Sequence, residues 1–97
     1  MRLEDAVLFD VDGTLIDLDD EPRGSVIALL GAFHTVGVKI CVWSGGGADY
    51  VDMWMRRLGL EPLVSWTGVK GAVPPYHILF TVDDVPETDF GVPNLHV

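Results

Sequence analysis

The sequence predicts an α/β fold, a Rossmann-like parallel sheet of about five strands with flanking helices, and three observations carry that reading. Apolar runs at residues 6–9, 38–43 and 78–82 have the length and composition of buried parallel strands. Segments with helical character follow the first two runs, giving the strand–helix alternation of a parallel sheet. Finally, the first and last of these runs stop at acids, Asp10-Val11-Asp12 and Asp83-Asp84, which places chemistry at the carboxyl ends of strands, where open α/β sheets bind ligands.

Each element has a local reason. Ala6-Val7-Leu8-Phe9 forms the first strand, and Gly13 gives the backbone freedom for the turn beyond it. Asp20 is the expected N-cap of the first helix, with Glu21 and Pro22 in its first turn and Val26, Leu29, Leu30 and Phe33 as its apolar stripe, ending near Gly37. Gly24 and Gly31 weaken that helix, so packing must hold it. The second strand runs from Val38 to Trp43, and Ser44-Gly45-Gly46-Gly47 leads into a helix from Ala48 to Leu58. Asp49 and Asp52 near its start and Arg56 and Arg57 near its end complement the helix dipole, and Gly59 suits the C-terminal cap. Tyr50, Trp54 and Leu58 recur at four-residue spacing and read as core packing. Leu63–Trp66, Ile78–Val82 and Asn94–Val97 are the third, fourth and fifth strands, and Pro74-Pro75 allows only an abbreviated crossover before the fourth.

Composition narrows the function. At 97 residues the chain is a single domain, 1–97, and with 48% hydrophobic residues it has a packed core. No apolar run approaches membrane-spanning length and the opening residues do not resemble a signal peptide, which makes a cytoplasmic location the expectation. Cys41 is the only cysteine and lies within an apolar run, so it reads as a small buried hydrophobe. A net charge of −9 with only six Lys and Arg argues against extensive nucleic-acid binding. Acids cluster at Asp17, Asp19, Asp20 and Glu21 and again at Asp83, Asp84, Glu87 and Asp89; flanking one mouth, they would repel anionic substrates until a cation is bound.

The carboxylates at Asp10 and Asp12 can converge once the chain leaves the strand, and like charges held that close call for a hard cation with oxygen ligands. An EF-hand calcium loop fails on register. Counted from Asp17, the required glycine is Pro22 and the closing glutamate is Ala28; counted from Asp10, the third ligand is Thr14.

Asp10-Val11-Asp12-Gly13-Thr14-Leu15 resembles the Asp-x-Asp-Gly-Thr signature of the haloacid dehalogenase superfamily, most of whose members are Mg²⁺-dependent phosphatases with an aspartyl-phosphate intermediate. The resemblance implies a haloacid-dehalogenase-like core. Asp10 is then the nucleophile and Asp12 the acid and base. Ser44, with Gly45 beside it, holds the transferring phosphoryl group, and Lys70 offsets charge on phosphate and on Asp10. Asp10, Asp12, Asp84 and Asp83 are the implied metal residues, with Asp84 favoured as direct ligand and Asp83 as a partner of Lys70 or of a bound water, although the sequence does not separate the two.

Substrate choice in that family usually rests on an inserted cap. Only a short flap fits between Leu15 and Asp20, and residues 44–70 are already a helix and a strand, so no cap domain is expected. An open site suits a phosphorylated macromolecule, a protein or, less comfortably for so acidic a chain, a nucleic-acid end. A small phosphorylated metabolite fits if an oligomeric partner closes the site. The competing reading is a non-catalytic metal- or phosphate-binding module that regulates or scaffolds a partner, favoured by the short segment around Lys70.

Overall fold

The computed structural model describes residues 2–85 and 91–97; of the second acidic cluster, Glu87 and Asp89 lie outside them. Five strands, β1 (Asp5–Asp10), β2 (Lys39–Ser44), β3 (Trp66–Val69), β4 (His77–Asp83) and β5 (Asn94–His96), form one sheet in the order β3-β2-β1-β4-β5. Every pairing is parallel. Two helices, α1 (Gly24–Thr35) and α2 (Ala48–Leu58), connect β1 to β2 and β2 to β3. This is the α/β architecture expected of the alternating pattern, with no cap among the described residues.

Strand alternation sorts the core into two layers. Val7 and Phe9 of β1, Ile40 and Val42 of β2 and Val82 of β4 point to one face, where they meet Val26 and Leu30 of α1 and Val51, Trp54 and Met55 of α2. Ala6, Leu8, Cys41, Trp43 and Ile78 point to the other, packed by Trp66, Tyr76 and Val92 instead of a helix. Cys41 is fully buried, and burial pushes its thiol up to about 12, consistent with its reading as a small hydrophobe. No described helix is long and apolar enough to cross a membrane.

Two elements differ from the expected boundaries by more than one residue at an end. Helix α1 starts at Gly24 rather than after Asp20, because the Asp17 carboxylate captures the backbone N–H groups of Asp19 (2.8 Å) and Glu21 (3.0 Å) and holds the preceding residues in a turn. Asp20 there takes φ +59°, outside a cap conformation, and Ile16 bridges both Asp12 and Pro22, closing a small flap. Strand β3 covers Trp66–Val69 instead of Leu63–Trp66, since Pro62 lies in a 3₁₀ turn, Glu61–Leu63. Helix α2 keeps its expected span. Gly59 at φ +70° closes it, with Gly59 N–H on Arg56 O (3.2 Å) and Leu60 N–H on Met55 O (2.8 Å).

The topology positions the site. From β1 the chain proceeds outward through β2 and β3, then crosses back to place β4 on the opposite side of β1. The order in which strands are added therefore reverses about β1, and the crevice beyond the carboxyl ends of β1 and β4 is where a ligand is bound in such sheets.

Candidate functional site

Asp10 is the last residue of β1 and Asp83 the last of β4; both are almost fully buried, at 6% and 5% exposure. Asp84 follows one residue later. Oxygens of Asp10, Asp83 and Asp84 all lie within 4.8 Å of one another, although Asp10 and Asp83 are far apart in the sequence. The apposition is unfavourable on its own. Burial first, then the charge of Asp83, raise the Asp10 carboxyl to about 7, against the pull of Lys70. Asp84 is also raised, by burial and by its hydrogen bond with Asp83.

Lys70 reaches this cluster from the far side of the sheet. Its backbone N–H donates to Ser44 O (2.9 Å), extending the β2–β3 ladder by one residue. From there Nζ lies 3.0 Å from Asp83 Oδ2 and 3.9 Å from Asp10 Oδ1. Three carboxylates held this close, with Lys70 offsetting part of their charge, offer the oxygen donors that a hard cation takes. The residues present therefore fit a hard divalent ion.

The turn after β1 completes the crevice. Thr14, fully buried, accepts the Asp84 N–H (3.1 Å) and donates to Asp84 Oδ1 (3.5 Å). Gly13, at φ +79°, lies so close to Asp84 that a Cβ there would overlap its carboxylate. The Arg23 guanidinium donates to Gly13 O (2.6 Å) and Val97 O (3.2 Å), tying this turn to the segment beyond β5.

Asp12 stands apart from the three clustered acids. Its Oδ2 accepts from Ser44 Oγ (3.3 Å) and its Oδ1 from Tyr50 OH (2.7 Å). Ser44, the last residue of β2, is buried and its Oγ also accepts the Gly46 N–H (3.1 Å), so the expected phosphate residue sits beside Asp12 where the strand turns into the glycine loop, with exposed Gly45 between Ser44 and Gly46. The bond to Asp12, ahead of burial, raises the Tyr50 phenol above its ordinary value. The structure thus brings Asp10, Asp83, Asp84 and Lys70 into one group and Asp12 and Ser44 into an adjoining one.

Sequence reasoning passed over Tyr50, Thr14 and Arg23. Tyr50 shares the helical spacing of Trp54 and Leu58, which signals core; the signal for a polar role lay only in its position, one turn into a helix that starts beside Ser44. Thr14 was present in the motif, and its buried hydroxyl needs the partner it finds in Asp84.

No family model matches the chain, and no curated protein matches it. Among solved structures, a chain of the Pnkp1/Rnl/Hen1 complex is similar to it, with a TM-score of 0.77 and 19% identity over 98% of this chain and 46% of that one. At that identity the likeness shows a shared fold. The present chain spans about half the length of that neighbour.

Proposed function

We propose that the chain is a Mg²⁺-dependent phosphohydrolase that cleaves phosphomonoesters through an aspartyl-phosphate at Asp10, as its resemblance to the haloacid dehalogenase superfamily implies. The observation that supports this most strongly is the meeting of Asp10, Asp83 and Asp84 within 4.8 Å, with Lys70 against them, at the switch point of the sheet.

In this reading Asp10, Asp84 and Asp83 hold the ion, which when bound supplies positive charge to the phosphoryl oxygens. A carboxylate oxygen of Asp10 attacks phosphorus in line and the phosphorus–oxygen ester bond breaks. Asp12 gives its proton to the departing oxygen, then takes one from the water that attacks the acyl-phosphate, so Asp10 is regenerated and inorganic phosphate leaves. Lys70 offsets charge on Asp10 and on the phosphoryl group. Ser44 and the N–H groups of the glycine loop orient that group.

Among the described residues no cap domain is inserted beyond the small flap at residues 12–22, which favours a phosphorylated macromolecule, and the complex that holds the structural neighbour is in keeping with macromolecular partners. The measurement that decides is turnover of an aryl phosphate with Mg²⁺. Wild type should release phosphate, and Asp10→Asn should lose at least about a thousandfold in kcat. Equal inertness of both proteins across a panel of phosphoesters would favour the non-catalytic module, a reading supported by the crossover from β3 to β4, which has no helix among the described residues.

A further inference from the structure

We infer that Tyr50 is a positioning residue for Asp12: its hydroxyl holds the carboxyl group in place for proton transfer to the leaving oxygen. This rests on the phosphohydrolase reading and deepens it.

The geometry is specific to the hydroxyl. Tyr50 OH donates to Asp12 Oδ1 at 2.7 Å across 38 residues of sequence, a shorter bond than the one from Ser44. Ser44 holds the other oxygen at 3.3 Å, and a serine has one proton to give. Once that proton turns to a phosphoryl oxygen, Tyr50 is the donor that remains on Asp12.

The phenol is itself held. The loop backbone passes over the ring so closely that a Cβ on Gly46 would come within 2.8 Å of Tyr50 Cδ2, which glycine avoids. The phenol gives its own proton to the hydrogen bond with Asp12. Tyr50 keeps that proton throughout: the transferred proton moves from the Asp12 carboxyl to the leaving oxygen as the ester bond breaks, and from water to Asp12 afterwards.

Leaving-group dependence tests this, because an ester that departs as a stable anion needs no proton. Single-turnover release of alcohol is measured with Mg²⁺ for an alkyl phosphate and for dinitrophenyl phosphate, in wild type and Tyr50→Phe. The variant should lose roughly ten- to hundredfold on the alkyl ester, with half-saturation unchanged, and less than about threefold on the dinitrophenyl ester. Equal losses on both esters, or none on either, would overturn the inference while leaving the phosphohydrolase reading intact. A wild type that releases neither alcohol would sink that reading and this inference with it. If Tyr50→Phe fails to fold, Gly46→Ala crowds the ring while leaving the hydroxyl present; a loss confined to the alkyl ester then supports the inference, and equal or absent losses overturn it.

Discussion

Gly13 shows how one position can control the acidic cluster without contributing a side chain. It adopts φ +79°, costing a non-glycine residue about 1–2 kcal/mol, and the volume a Cβ would fill belongs to the Asp84 carboxylate. Gly13→Ala should therefore displace Asp84 and weaken divalent-ion binding by more than about tenfold, read by calorimetric titration with Mg²⁺ or Mn²⁺. Unchanged affinity would mean that Asp84 does not hold the ion. The acids themselves were legible because each ends an apolar run, so burial of the strand dictates where the carboxylate emerges. Tyr50 was not, because helical periodicity reports which side of a helix faces inward and says nothing about a hydroxyl at the end of a ring. Its partner is set by how α2 docks on β2, a tertiary fact.

At the scale of elements, the sequence was informative where one signal acted alone and misleading where two competed. Helix α2 has an amphipathic pattern, acids and bases at the proper ends and a glycine stop, and it runs over the residues expected. Helix α1 had two candidate starts. The Asp17 side chain takes the Asp19 and Glu21 N–H groups, and the Arg23 N–H that an Asp20 cap would have accepted goes to Leu15 O (2.9 Å), so the turn forms and the helix begins later. Strand β3 was displaced because Pro62 holds Glu61–Leu63 in a 3₁₀ turn, and Gly68, which the Trp66 ring covers, hides the strand by interrupting its apolar pattern. The late start leaves α1 with two buried side chains, Val26 and Leu30, and no side-chain cap. It is held mainly by packing, and Gly31 in its interior has open space where a methyl would go. Gly31→Ala should stabilise the protein by about 0.5–1 kcal/mol, seen as a higher urea midpoint at unchanged slope. A lower midpoint would show that α1 requires the freedom of glycine there.

For the molecule as a whole, the alternation of strands and helices gives the class of fold, but strand order is set by which way each crossover turns, and periodicity does not record that. The placement of β4 against β1 is what brings Asp83 and Asp84 to Asp10, and it makes stability a function of pH. Asp10 is raised from 3.8 to about 7, chiefly by burial and then by Asp83. A carboxyl whose folded pKa exceeds its unfolded one contributes stability that is fully present below about 3.8 and is lost as the pH rises through about 7. In chelator, the denaturation midpoint of wild type should therefore decline across that window relative to Asp10→Asn, which carries no charge to bury. Ion binding needs the ionised acid, so stabilisation by millimolar Mg²⁺ should run the other way, small near the acidic end of the window and full above it. Denaturant titrations of both proteins, with and without Mg²⁺, measure the two slopes together. Parallel pH profiles for wild type and variant in chelator would mean that Asp10 ionises as an ordinary carboxyl, and that the apposition of the three acids does not oppose folding.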